Sequence, residues 1–194
     1  KFLKTNRIEL SHCKDIFLKI ALSNPNIGFK LNIDGKNIYD FNKNENNSFI
    51  NQDRLGAAFG DEFLDNSLDI NYKKNGYWMY GKISYPTFNS STTSNQYLYV
   101  NKRSIKDKKI LGAIKASYSE TIPKGRFPFV IIFLGIPHSL VDVNVHPSKT
   151  EVRFENDRVI SGIIVSSIRS AISESVKSVS KNFGKNLNFT SIDP

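Results

Sequence analysis

The sequence has little cysteine and little histidine. Its 194 residues include one cysteine, Cys13, and three histidines, His12, His138 and His146. A single cysteine excludes an internal disulfide framework and a multi-cysteine zinc site. The histidines lack the spacing of metal ligands, so we predict no metal site. Because no activating neighbour is visible, we interpret Cys13 as a small buried apolar residue rather than a nucleophile.

Long apolar runs and common catalytic motifs are also missing. The longest apolar run, 127–136, is about half of a membrane span and contains Pro128, so we predict no transmembrane helix and no membrane association. The glycine-rich loops of nucleotide-binding enzymes and the Gly-x-Ser-x-Gly elbow of hydrolases are absent, which excludes several enzyme classes. Because the first residue is Lys1 rather than Met, we expect a piece of a longer intracellular protein.

Acidic residues are outnumbered by basic ones. There are 27 Lys and Arg against 18 Asp and Glu, a formal net charge of +9. Most of the excess falls in residues 101–126, the basic window, where eight basic residues stand against Asp107 and Glu120. A local basic surface attracts nucleic-acid phosphates without reading sequence. A solvated, lysine-rich helix face is the alternative interpretation of the same composition.

The hydrophobic patterns predict a mixed α/β fold. Helices are expected over residues 11–23, 52–64, 106–118 and 156–179. Asp34-Gly35 and Asn75-Gly76 each lie between two strand-like runs and predict tight hairpins. The most apolar run, 128–134, is expected to be a central strand covered on both faces. One sheet with helices mainly on one face makes a two-layer α/β sandwich.

Two of these helices carry apolar stripes. In the first helix, which Ser11 is expected to cap, a single stripe is predicted to be buried; it consists of Cys13, Ile16, Phe17 and Ile20. In the last helix an aliphatic residue recurs every four positions; these are Ile160, Ile164, Ile168, Ile172 and Val176. Residues 86–95 are rich in Ser, Thr and Asn and are expected to form an exposed loop.

One segment near the end of the chain has an unusual pattern. Residues 141–154 read VDVNVHPSKTEVRF. Alternating valines predict a strand that ends at Pro147, after which Lys149 projects from a turn between two anchored strands. A lysine mounted in this way can be aimed at a fixed anion. Spacing alone favours an ordinary exposed loop lysine.

The same segment closely resembles the signature of the MutL family of DNA mismatch-repair proteins. Other segments resemble the family in the family's order; they are KFLK at 1–4, DRLG at 53–56, FN at 88–89 and QYLYVNKR at 96–103. The resemblance extends to about residue 180. Where the family usually has Gly, this chain has Lys102, which must adopt a positive φ at a cost of about 1 kcal/mol or change the turn.

The resemblance implies the second, or transducer, domain of a GHKL-type ATPase region. That domain is a ribosomal-protein-like α/β sandwich, here with a long C-terminal helix at 156–179. Residues 1–23 would connect it to an upstream ATPase domain, 24–180 would form the transducer and 181–194 would begin an interdomain linker. ATP and magnesium would belong to the parent ATPase, which in some relatives is also an endonuclease. The chain alone would hold no cofactor and would not be an enzyme.

The resemblance also assigns individual residues. Lys149 matches the lysine that reaches the γ-phosphate of ATP in the neighbouring domain. Asn144, His146 and Pro147 match positions that shape this loop. Lys108 falls where relatives carry an arginine implicated in DNA binding. Further expected DNA contacts surround it; they are Lys102, Arg103, Lys106 and Lys109.

The implied partners are those of a repair protein. They are DNA bound without sequence preference, the ATPase domain of the same chain, a MutS-type mismatch-recognition protein and other repair factors. The parent would be a cytoplasmic, nucleoid-associated homodimer of bacterial type. Two alternatives stay open: a type II topoisomerase B subunit, expected to carry Gln-x-Lys where this chain has Pro147-Ser148-Lys149, and a basic RNA-binding module of ribosomal type.

Overall fold

The computed structural model describes residues 6–44, 50–142 and 151–186, with side chains described up to residue 177. The helices are α1 (Asn6–Ser23), α2 (Gln52–Phe59), α3 (Asp61–Asp65), α4 (Lys108–Ser117) and α5 (Asp157–Asn186). The strands are β1 (Phe29–Ile33), β2 (Lys36–Phe41), β3 (Ser67–Lys74), β4 (Tyr77–Ser84), β5 (Asn89–Ser90), β6 (Gln96–Val100), β7 (Arg103–Ile105), β8 (Phe127–Pro128), β9 (Val130–Gly135), β10 (Val141–Asp142) and β11 (Arg153–Phe154). A single 3₁₀ turn, His138–Leu140, precedes β10.

A five-stranded sheet organises the described residues. Its strand order is β3-β4-β9-β6-β7, and β6 and β9 are parallel neighbours while the other pairs are antiparallel. All six residues of β9 are buried, which confirms the predicted central strand. β7 was not predicted. Within the predicted loop at 86–95, β5 pairs with β8 through Asn89 and Ser90, while residues 91–94 are exposed.

Helices cover both faces of this sheet. Val130, Ile132 and Leu134 of β9 pack into one core with residues of α4 and α5. The alternate residues Ile131 and Phe133 pack into a second core with residues of α1, α2 and α3. Successive strand side chains point to opposite faces, so one apolar strand supplies both cores. The predicted α/β class is confirmed. Helices were expected mainly on one face, but α1 to α3 pack on the face opposite to α4 and α5.

Stacked aromatic rings fill the second core. Tyr80 and Phe133 are cross-strand partners with ring centroids 5.1 Å apart, and Phe133 and Tyr99 are 4.5 Å apart with rings 10° from parallel. Trp78 continues the row, 5.0 Å from Tyr80. Such pairs contribute about 1 kcal/mol each beyond their buried area. Burial raises the pKa of the Tyr99 hydroxyl, so that this residue stays neutral in the core.

The first helix is oriented differently from its prediction. It begins at Asn6, so Ser11 lies inside it rather than at its cap. The predicted buried stripe faces largely outward: Cys13 is exposed and Ile16 is 57% exposed. Leu18 belongs to the buried face instead, together with Ala21 and Leu22. α1 has apolar residues on two faces, and its periodicity alone does not decide which face docks against the sheet.

The last helix follows its prediction for four turns. Asn156 caps it by accepting a hydrogen bond from the Val159 backbone N–H at 3.2 Å. The stripe from Ile160 to Ile172 is buried, but Val176 is 63% exposed. A stripe with a spacing of four residues drifts about 40° per step around an α-helix, so its end leaves the core. The helix continues to Asn186 rather than ending near 179.

The same helix bears on the prediction that there is no transmembrane helix. Asp157–Lys177 is long and apolar enough to do so by length and composition, with a mean hydropathy of 1.3. The isoleucine stripe of this segment packs against the sheet. Core helices of soluble proteins pass the same test of length and composition, so this feature is weak evidence for a membrane.

A buried arginine joins α1 to the first hairpin. Arg54 is 4% exposed, and its guanidinium lies over the rings of Phe29 and Phe41, 5.8 Å and 5.5 Å from their centroids. Its guanidinium donates to five backbone carbonyls, those of Ala21, Asn24, Pro25, Ile27 and Asn42. Those carbonyls are the partners that make burial of the charge tolerable. Arg54 therefore anchors the end of α1 to the end of β2.

Three hairpins in the chain share one turn geometry. Each has two residues between the strands, and both residues have positive φ. The pairs are Asp34-Gly35, Asn75-Gly76 and Asn101-Lys102. The φ values of Asn101 and Lys102 are 48° and 67°. This is the type I′ geometry that matches strand twist and favours Gly at the second position. Lys102 thus keeps the turn and adopts the left-handed conformation, the first of the two predicted outcomes.

Replacing Lys102 tests the conformational cost of that turn. Lys102→Gly is expected to be about 1 kcal/mol more stable than Lys102→Ala, because both variants lose the long side chain and only Gly adopts positive φ without strain. Urea unfolding of the two variants measures the difference in free energy of unfolding. Equal stability, or a more stable Ala variant, would show that the turn is not strained.

Candidate nucleic-acid interface

The basic window separates into two groups at opposite ends of α4. α4 has ten residues and is therefore about 15 Å long. The five residues predicted to contact DNA lie on the N-terminal side of this helix, which we call the α4 corner; they are Lys102, Arg103, Lys106, Lys108 and Lys109. The other basic residues lie near its C-terminal end; they are Lys115, Lys124 and Arg126. The predicted DNA contacts are brought together, and the basic window as a whole is not one patch.

Asp107 organises the α4 corner. Its carboxylate accepts hydrogen bonds from the backbone N–H groups of Lys109 at 2.9 Å and Ile110 at 3.0 Å, and only 6% of the residue is exposed. The one acidic residue of the corner is therefore used as a helix cap. Lys106 and Lys108 flank it and are exposed. Lysines in a first turn oppose the helix dipole, a local cost that is typical of functional positions.

The cations of the α4 corner differ in how their charge is used. Lys109 forms an ion pair with Asp157 in the first turn of α5. Arg103, Lys106 and Lys108 make no ion pair within the described parts of the chain. An internal partner neutralises a cation before a ligand arrives, whereas an unpaired cation releases counterions when it meets phosphate. The geometry therefore favours Arg103, Lys106 and Lys108 over Lys109 as phosphate contacts.

Asn101 fixes the turn that carries Lys102, a role the sequence reasoning missed. Its side-chain amide donates to the carbonyl of Ile136 and accepts from the N–H of Ile136, both at 2.9 Å. Its backbone N–H donates to Leu134 at 2.9 Å. The side chain therefore extends the ladder between β6 and β9 by one residue pair. A possible signal was its position before Lys102, since Asn tolerates positive φ better than most residues.

The flanks of the predicted phosphate loop are anchored. β10 and β11 pair through Val141 with Phe154 and through Asp142 with Arg153. The N–H of Glu155 donates to Leu140 at 3.0 Å, and Phe154 is buried in the first core. Within the described residues, the strand before the loop is present at Val141–Asp142 and the strand after it at Arg153–Phe154. Four predicted site residues lie outside the described residues, and their roles stay predictions; they are Asn144, His146, Pro147 and Lys149.

Burial and pairing shift the pKa values of several other groups in the described parts of the chain. In the ranges 6–44, 50–142 and 151–177, no group of three or more His, Cys, Asp or Glu side chains could hold a metal ion. Burial raises the pKa of the Tyr97 hydroxyl and lowers the pKa of Arg54. A hydrogen bond from the Lys30 ammonium holds the pKa of Asp40 below its ordinary value.

Comparison with known proteins places this arrangement in a family. A family model described as "DNA mismatch repair protein, C-terminal domain" matches residues 55–173. The DNA mismatch repair protein MutL of Rickettsia bellii (strain RML369-C) is 38% identical over 176 residues, which make up 89% of this chain and 28% of that protein. The chain therefore spans less than a third of the length of such relatives.

Solved structures share the fold. The N-terminal domain of a DNA repair protein superposes with a TM-score of 0.73 at 22% identity, over 90% of this chain and 56% of that one. The Aquifex aeolicus MutL ATPase domain complexed with ADP superposes with a TM-score of 0.51 at 19% identity, over 70% of this chain and 46% of that one. The match to the family model and the sequence identity decide against the topoisomerase and ribosomal alternatives: this chain belongs to the MutL family of DNA mismatch-repair proteins.

Proposed function

We propose that this chain is the transducer domain of a MutL-type mismatch-repair protein. It relays ATP binding by a neighbouring GHKL ATPase domain, and it binds DNA without sequence preference at the α4 corner. The observation that carries the DNA part is the exposed cluster of Arg103, Lys106 and Lys108, which has no internal ion pairs in the described chain. The relay part is supported by the family motif around Lys149 and by the anchored β10–β11 pair.

The relay has a simple electrostatic basis. An ammonium group that reaches the γ-phosphate only when two domains dock stabilises the negative charge of that phosphate. The same contact couples the presence of the phosphate to the position of the domain that supplies the ammonium group. A solved protein of similar fold is a MutL ATPase domain complexed with ADP, which supports a nucleotide site in the neighbouring domain. Lys149 would contribute to that site while Asn144, His146 and Pro147 shape its loop.

The wider setting belongs to the same proposal. ATP and magnesium bind in the neighbouring domain, and the 194-residue chain has no ATPase activity by itself. The parent protein is a homodimer that works in the cytoplasm, at the nucleoid, with a MutS-type mismatch-recognition protein and other repair factors. DNA affinity arises from phosphate contacts, so it is independent of sequence and falls steeply with salt.

Removal of the Lys149 ammonium tests the relay. In the protein that contains this chain and its upstream ATPase domain, Lys149→Ala is expected to lower ATP turnover severely, because the γ-phosphate loses a positive partner in the transition state. Steady-state ATP hydrolysis measures the effect, with thermal unfolding as the check on folding. Lys124→Ala is the matched control, since it removes a lysine from the far end of α4. Unchanged turnover in Lys149→Ala would contradict the relay.

Charge reversal at Lys108 tests DNA binding. Lys108→Glu in the 194-residue chain is expected to weaken binding equally for duplexes of different sequence and to flatten the log–log salt dependence by about one unit. Fluorescence anisotropy with labelled duplexes at several salt concentrations measures both quantities. Lys115→Glu makes the same reversal at the opposite end of α4 and serves as the control. If Lys108→Glu binds as the wild type does at low salt, the corner only solubilises the protein.

A further inference from the structure

A groove separates α1 from the α4 corner. Its volume is about 390 Å³. α1 contributes Lys14 to its lining and the α4 corner contributes Lys106, although these residues are far apart in the sequence. The segment that leads into β6 contributes the hydroxyl groups of Thr93 and Ser94. Cations and hydroxyl donors thus line one cleft that opens beside the proposed DNA contacts.

The charge of this groove is positive. Lys14 and Lys106 form no ion pair with any described part of the chain. The carboxylate of Asp15 also lines the groove, where it would repel a phosphate. That carboxylate is already paired with the Lys19 ammonium at 2.5 Å, one helical turn along α1. Lys14 and Lys106 therefore set the local field.

We infer that this groove binds the sugar–phosphate backbone of one DNA strand and extends the DNA-binding surface from the α4 corner onto α1. The inference rests on the proposed DNA binding. A groove of about 390 Å³ has room for part of the backbone of one strand. Tyr97 in the lining is 6% exposed and offers no face on which a base could stack, and the other ring in the lining is the exposed imidazole of His12. The contacts that the inference assigns are those of ammonium and hydroxyl groups to phosphate, which carry no sequence information.

The test compares single-lysine variants of the 194-residue chain. The probe is a fluorescein-labelled oligothymidylate of about 20 nucleotides, longer than the usual site of one small domain. Lys14→Ala is expected to raise the Kd about threefold and to flatten the log–log salt dependence by about 0.7, the value for one contact to a single strand. Lys14→Arg keeps the charge and is expected to retain binding. Lys73→Ala is the control, because β3 lies at the opposite edge of the sheet from β7.

The outcomes distinguish a failure of the groove inference from a failure of the proposed function. In one outcome, Lys14→Ala matches Lys73→Ala in affinity and salt slope while Lys108→Glu still weakens binding. That result would contradict DNA binding by the groove and would leave the proposed DNA binding at the α4 corner intact. If Lys108→Glu also leaves binding unchanged, the proposed DNA binding fails as well. A loss in both Lys14→Ala and Lys14→Arg would indicate a structural role for Lys14. Thermal unfolding by circular dichroism identifies any variant that does not fold.

Discussion

Burial of β9 on both faces is the constraint on which the rest of the structure depends. Its alternate side chains fill two cores, and its neighbours β4 and β6 hold it in the middle of the sheet. Because β6 is parallel to β9, the β6–β7 turn and the chain leaving β9 emerge at the same edge. Asn101 joins the two there through Ile136. The basic turn and the approach to the predicted phosphate loop are therefore parts of one framework.

The positive charge of the α4 corner depends on two nearby carboxylates and on the groups with which they pair. Asp107 faces backbone N–H groups as a cap, and Asp157 of α5 pairs with Lys109. The remaining cations are exposed, so salt screens them over about 10 Å and each contact is weak. Weak contacts that depend on charge suit the proposed binding to DNA of any sequence. The geometry explains the location of the positive charge on which the proposed DNA binding depends.

Locally determined features were predictable from the sequence, and those set by docking were not. Asp34-Gly35 and Asn75-Gly76 identified their hairpins because turn chemistry acts over a few residues. The turn at Lys102 lacks that glycine, so the three-residue strand β7 was missed. The buried side of α1 depends on packing in the second core, which a single helix pattern does not contain. Cys13 was therefore predicted to be buried, although it is exposed. The proximity of Lys14 to Lys106 requires the tertiary fold.

The central claim is that a cation from this chain completes a nucleotide site that lies in the neighbouring domain. Isothermal titration with a non-hydrolysable ATP analogue and magnesium tests it most directly, using the 194-residue chain alone and the same chain joined to its upstream domain. The account predicts heat of binding only from the joined protein, since a lone lysine in a loop is a weak phosphate site. Tight binding by the 194-residue chain alone would contradict it.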